Sequence, residues 1–318
     1  MRSSATATSE PHASFTLPES PLSSADDQYA AILRSIIDTG EERIDRTGVG
    51  TRSIFGASAR FDLSDGTVPL LTSKRVSWKT AVKEMLWFLT GETNIRPLVA
   101  AKVGIWTDWP LARYRRETGE AISQAAFEQR IVDNADFAAR WGDLGPVYGK
   151  QWRRWDDGRG ETIDQIAEVI HLLRTNPSSR RILFHGWNVA DLEGMALPPC
   201  HMVYQFHVRD GRVSCLLFQR SADQFLGTPF NWVGASALLM MIAQQADLAV
   251  GELIWHGGDV HLYLNHLEQA ETLLGRAPRA APTMRLVRHA ASIDDYRIED
   301  FVVDGYDPHP AIKADVAV

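Results

Sequence analysis

The stretch 231–245, NWVGASALLMMIAQQ, constrains this chain more than any other, because its apolar residues run round most of a helical circumference instead of forming one stripe. Such a helix must be covered on all sides and belongs at the centre of a fold. The residues before it supply part of the cover. HMVYQFHV and VSCLLFQ are joined by Arg209-Asp210-Gly211-Arg212, and an Asp-Gly pair between two apolar runs predicts a tight hairpin. Further upstream, TRSIFGASARFDL alternates well enough for another strand and runs into an Asp65-Gly66 turn, and RRILFHGWN reads as a strand as well.

Helical spacing recurs in QYAAILRSIIDTG, opened by Asp26 and Asp27 and stopped at Gly40, and from about 77 to 90 with Gly91 at the end. TIDQIAEVIHLLRTN is plainly amphipathic, and residues 121–141 are charged, weakly helical and read as a surface elaboration. Strands and helices alternate without a βαβ rhythm, and neither GxGxxG nor GxxxxGK follows a strand, so the class is α+β. Residues 1–25, rich in Ser, Thr, Ala and Pro, read as a flexible tail ahead of a catalytic domain over 26–318.

Composition sets limits on function. With 318 residues, 45% of them hydrophobic, the chain can bury one large core. A net charge of -7 argues against a surface built for nucleic acid as the main partner, so an anionic ligand must meet local arginines. The two cysteines, Cys200 and Cys215, lack any paired spacing, which fits a reducing, cytoplasmic setting and predicts no metal centre. No apolar run approaches bilayer length, so no membrane partner is expected.

Cys200 stands in LPPCH, where two prolines stiffen the approach to a strand edge, a placement that suits a nucleophile. Cys215, inside VSCLLF, reads as a small core hydrophobe. A thiolate needs positive charge, which Arg220 in QRSAD supplies if the hairpin register brings it alongside. Arg46, Arg180 and Arg181 stand beside Gly, Ser or Thr, a mixture that suits a phosphate cage as well as a surface ion pair. Glu84 is the only acid in SWKTAVKEMLWFLT and projects between Trp87 and Phe88, so burial should raise its pKa and prepare a proton carrier. Asn231 taken alone reads as a helix cap. His261 and Tyr263 alternate outward from an expected Gly-Gly turn, and His261 and His266 are poorly spaced for a metal. Trp106 and Trp109 are core aromatics or a stacking surface.

Taken in order, DRTGVGT, LWFLTGETN, GIWTDW, DLGPVYGKQW, SSRRILF, LPPCH, QRSADQFLGTPFN, GGDVHLYLNH and YDPHPAIKADVAV closely resemble the thymidylate synthase family over residues 28–318. The resemblance implies a mixed β-sheet flanked by helices, a single domain, and a homodimer paired sheet to sheet. It implies reductive methylation of dUMP with 5,10-methylenetetrahydrofolate as co-substrate and no metal. By the same resemblance Cys200 would be the nucleophile, with Glu84 and Tyr148 moving protons. Arg220 would lower the thiol pKa and hold phosphate together with Arg46, Ser221 and, from the second subunit, Arg180 and Arg181. Asn231 would read the uracil edge, His261 and Tyr263 the sugar hydroxyl, and Asp223 both base and folate. Trp106, Trp109, Leu197 and Ala317 would line the folate site.

Three departures accompany the resemblance: Ser77 where many relatives carry His, Gly234-Ala235 in place of Ser-Tyr, and Asp315 in place of Pro. Ala235 would leave room near the base that Trp232 could fill. Ala235 and Asp315 keep a hydroxymethylase of the same fold as the rival enzyme, and an RNA-binding regulator is the rival of another class.

Overall fold

The computed structural model of the chain describes residues 24–44 and 48–316. Helix α1 (Ala25–Thr39) starts under Ser24, whose hydroxyl accepts the Asp27 N–H, so the helix begins inside the segment expected to be tail. Asp26 does more than complement the helix dipole. It is buried, and its carboxylate accepts the N–H groups of Thr72 and Ser73 and the Thr72 hydroxyl, which ties α1 to the chain ahead of the second long helix. Strand β1 (Glu41–Arg43) pairs with β2 (Thr51–Asp62), and Gly66 turns the chain at φ 87°. Helix α2 (Trp78–Leu89) follows Ser77 and is released by Gly91 at φ 73°.

Short helices α3 (Arg96–Ala100) and α4 (Asp108–Thr118) lead into the charged elaboration, which is helical as α5 (Gln124–Asp133) and α6 (Ala135–Trp141). Both of the latter are capped by their own preceding side chains, Ser123 and Asn134. Helix α7 (Tyr148–Arg153), a minor ribbon of β3 (Trp155–Asp156) and β4 (Thr162–Ile163), and the amphipathic α8 (Gln165–Thr175) come next. RRILFHGWN yields only β5 (Leu183–His185), because the chain then crosses so close over Pro199 that a Cβ on Gly186 would lie 3.3 Å from that ring.

The expected hairpin forms from β6 (His201–Arg209) and β7 (Arg212–Asp223), with Asp210 and Gly211 at φ 50° and 72° as a two-residue turn requires. Helix α9 (Gly227–Gln245) is buried along nearly its whole length and joins β7 to β8 (Ala249–Tyr263). Helix α10 (Leu267–Leu274) and the ribbon of β9 (Thr283–Leu286) with β10 (Phe301–Asp304) complete the described elements.

The main sheet has the order β1-β2-β8-β7-β6-β5 and is mixed: β7 and β8 run parallel and every other neighbour pair is antiparallel. A parallel pair needs a crossover, and α9 is that crossover, which explains why so apolar a helix lies against the sheet. Gly257-Gly258 is therefore no turn, since β8 runs straight through both. A Cβ at Gly258 would lie 2.8 Å from the Arg220 carbonyl oxygen, so glycine serves close approach of neighbouring strands here.

The sheet's two faces differ. Val213, Cys215, Leu217, Leu253 and Trp255 are buried against the helices, whereas Val203, Leu216, Phe218 and Ile254 alternate with them and stay partly exposed. Among the described residues no helix is long and apolar enough to cross a membrane.

Candidate active site

Cys200 sits immediately before β6, and the register pairs His201 with Gln219, which brings Arg220 beside it as the sequence anticipates. The Arg220 guanidinium is held on three sides. Its Nε donates to the Pro199 carbonyl at 2.9 Å, its Nη2 donates to Pro198 at 2.7 Å, and the Trp187 ring lies 5.1 Å from its centre. From that position Nη2 reaches the Cys200 sulfur at 3.9 Å. The prolines of LPPC thus do more than stiffen the chain, because their carbonyls fix the cation that faces the thiol.

Tyr148, at the first position of α7, accepts the Cys200 backbone N–H at 2.8 Å. It is buried and stacked on Phe88 at 4.5 Å, and burial, followed by the charges of Cys200 and Glu84, keeps its phenol well above the ordinary range and neutral. Trp106 meets Tyr148 edge to face at 5.7 Å and donates its indole N–H to Glu84 at 2.7 Å. Burial pushes the Glu84 carboxyl up to about 7, with that indole hydrogen bond opposing the shift. Trp109, partly exposed, packs on the buried Trp106 at 5.2 Å, so the two tryptophans form one aromatic wall.

Asn231 is not a helix cap. It is the fifth residue of α9, whose cap is Leu226, and its Oδ1 accepts from Gln219 Nε2 at 2.8 Å. Gln219 is fixed in turn by the Trp255 indole at 3.0 Å. His201 completes this cluster: its ring hydrogen-bonds Asn231 and meets Tyr204 at 3.1 Å, and burial draws its pKa down to about 4, which leaves it neutral. The amide that would read a base edge is therefore set in one orientation before any ligand arrives.

On β8, His261 and Tyr263 lie two residues apart with ring centroids 5.3 Å from each other, and His261 Nδ1 contacts Asp259 at 2.9 Å, which lowers the Asp259 pKa. The parallel register sets Ser221 against Asp259 and Asp223 against His261. Asp223 Oδ1 accepts the N–H groups of Phe225 and Leu226, holding the turn into α9. Lys74, which no local pattern singles out, is buried beneath that turn. It donates to the Phe225 carbonyl and lies 3.7 Å from the Phe225 ring centroid, and burial pulls it down to about 7 against the pull of Asp223.

Leu197 is partly buried on the LPPC approach. Arg180 and Arg181 are exposed ahead of β5, and among the described residues neither guanidinium has an ion pair. Arg46 and Ala317 lie outside the described residues. Ala235 has no exposed surface, and Trp232 is fully buried against Tyr29, Phe61 and Trp255. Ser77 caps α2 without a side-chain bond to its backbone, and Asp315 offers its carbonyl to His266 at 2.8 Å. Among the described residues no group of His, Cys, Asp and Glu side chains is placed to hold a metal ion.

His201, Gln219, Trp187 and Lys74 are the site residues that sequence reasoning does not find. Only His201 and Gln219 carry a hint, since each adjoins a residue that is found.

A sequence model of the thymidylate synthase family matches residues 27–318. A thymidylate synthase of Cereibacter sphaeroides is 68% identical to this chain over 292 residues, an alignment covering 92% of this chain and 98% of the relative. One of Rhodopseudomonas palustris is 65% identical with the same coverage, and one of Zymomonas mobilis is 61% identical over 92% of this chain and 99% of its own.

Proposed function

The chain belongs to the thymidylate synthase family, and from that premise we propose how its residues divide the work of its reaction, the reductive methylation of dUMP to dTMP. 5,10-Methylenetetrahydrofolate is the co-substrate, supplying the carbon and the hydride and leaving as dihydrofolate.

Cys200 adds through its sulfur to C6 of the uracil, which makes C5 the nucleophile. Arg220, unable to swing away from its proline carbonyls, favours the thiolate and meets the phosphate together with Ser221 and Arg46. Asn231 pairs with the uracil O4 and N3 edge, and because Gln219 fixes its amide, cytosine leaves that amide mispaired. His261 and Tyr263 take the sugar hydroxyl. Glu84, poised near neutral pH, relays protons, and Tyr148 assists removal of the C5 proton. The Trp106 and Trp109 faces, Leu197 and the carboxylate of Asp223 fit a flat heteroaromatic ring bearing N–H donors, and Ala317 at the chain end covers it and excludes water.

The catalytic unit is a single domain over 26–318, acting in the cytoplasm as a homodimer. Val203, Leu216, Phe218 and Ile254 on the open sheet face support a sheet-to-sheet pairing, in which Arg180 and Arg181 reach the partner's phosphate site. The observation that carries the whole reading is Arg220 held 3.9 Å from the Cys200 sulfur. Incubation with dUMP and the folate, followed by dihydrofolate absorbance and nucleotide mass, should give matched dTMP and dihydrofolate, with both lost in Cys200→Ala. 5-Hydroxymethyl-dUMP with tetrahydrofolate would overturn it. Mixing Cys200→Ala with an Arg180→Ala/Arg181→Ala variant should regain activity if the arginines are shared, and should regain none if each site is self-contained.

A further inference from the structure

The elaboration that contains α5 and α6 touches the turn that carries Trp106 through Glu128. Thr107 ends the turn that carries Trp106 and occupies the cap position of α4, yet it makes no capping bond to that helix. The third helical residue is Pro110, which has no N–H to offer. The fully buried Thr107 hydroxyl instead donates to Glu128 Oε1 of α5 at 2.7 Å. The same oxygen accepts from Gln124 Nε2, one turn earlier on α5, at 2.9 Å. Gly104, at the other end of the turn, leaves room for this contact, since a Cβ there would lie 2.5 Å from Glu128 Oε1. The turn 104–107 is thus clamped from one side by α5, and from its other side Trp106 donates to Glu84. Asp108, next along, feels the arrangement: burial, and after it the charge of Glu128, raises its pKa.

We infer that Glu128 is a positioning residue, which through Thr107 fixes the Trp106 indole against Glu84 and against the folate face of the site. Nothing in α5 touches the reacting atoms, so its contribution is orientation, where a displacement of about 1 Å costs on the order of 10²-fold in rate. The inference rests on the reading of Glu84 as the proton carrier. Tyr148 from α7 and Tyr204 from β6 are the titratable groups that register the Glu84 charge, and neighbouring Lys83 is turned to the Ala101 carbonyl.

The test measures kcat and KM for both substrates across pH in the full-length enzyme carrying Glu128→Ala, Glu128→Gln, Thr107→Val and Glu84→Gln. Glutamine retains an oxygen that accepts from Thr107, so Glu128→Gln should stay close to the parent. Glu128→Ala and Thr107→Val should each lower kcat/KM for the folate about tenfold while leaving KM for dUMP unchanged. They should also move the inflection assigned to Glu84 upward, because the indole hydrogen bond that favours the carboxylate is loosened. The double variant Thr107→Val/Glu128→Ala should be no worse than either single one. If both single variants lose thermal stability yet keep the parent's inflection and folate KM, the role is structural and the inference is wrong. Glu84→Gln separates the two readings. An inflection that survives in it removes Glu84 as the titrating group, and the folate KM of the other variants then decides the positioning role alone.

Discussion

The β6–β7 hairpin carries one cysteine at the open end of its ladder and one in the middle, and they show how one residue type is put to opposite uses. Cys215 lies mid-strand opposite Phe206, 1% exposed, and burial drives its thiol far above the ordinary range. Cys200 lies where the ladder opens, partly exposed, with Arg220 at 3.9 Å and its backbone N–H held by Tyr148. Both thiols belong to the same hairpin. What separates them is that the open end is lined by groups that stabilise negative charge and the middle by hydrocarbon. Inside the ladder Cys215 takes the core face, whereas Cys200 precedes the first pair of the ladder and keeps part of its surface open.

The largest expected effect breaks the open end. Arg220→Ala removes the charge beside Cys200 and frees the proline carbonyls, and kcat should fall on the order of 10²-fold or more, with slower iodoacetamide alkylation of Cys200 at pH 7. If alkylation proceeds at the parent rate, the cation does not activate the thiol, and the contrast between the two cysteines reduces to exposure.

Much of this contrast was legible in advance. The Asp-Gly turn predicts the hairpin, and a helix apolar round most of its circumference predicts a buried central element, but its part as the crossover between parallel strands is seen only in the sheet, because local pattern breaks β8 at Gly257-Gly258. Arg220 stands beside Cys200 only if the hairpin takes one register, and the ladder has that register. What was not legible depends on partners distant in sequence. Gly257-Gly258 looks like a turn because a glycine pair marks either positive φ or close backbone approach, and only the Arg220 strand alongside decides which. Asn231 looks like a cap after Pro229-Phe230, but the helix had already begun at Gly227, and its role depends on Gln219 and His201 reaching it from the sheet. The reach of α5 to Trp106 leaves no local trace, since a Glu on a charged surface helix reads as solvated.

A smaller effect concerns the opposite wall of the site, where Glu84 is raised from 4.5 to about 7 by burial. Between those values the folded protein holds a proton that the unfolded chain has released. Stability contributed by this group is therefore fully present below the unfolded value, falls as pH rises toward about 7, and stays lower above it. Glu84→Gln should then raise Tm at pH 8, by the equivalent of about 3 kcal/mol, and give no gain at pH 4, while losing activity at both. Equal Tm changes at the two pH values would mean that Glu84 titrates normally and that the wall is no more strained than the buried middle of the hairpin.

The smallest effect sharpens the comparison from its silent side. Cys215→Ala removes only a buried sulfur from well-packed hydrocarbon, which should cost about 1 to 2 kcal/mol of stability and leave kcat and both KM values unchanged. Cys215→Ser should cost more despite its closer shape, because it buries a hydroxyl among apolar neighbours. With a thiol-reactive disulfide reagent the native parent should release one equivalent from Cys200, and Cys215 should react only after denaturant unfolds the chain. Rapid labelling of Cys215 in the native protein, at a rate above that of global unfolding, would show that the β6–β7 ladder opens locally. Cys215 would then owe its inertness to a fluctuating cover, and the difference between the two cysteines would be one of rate and not of environment.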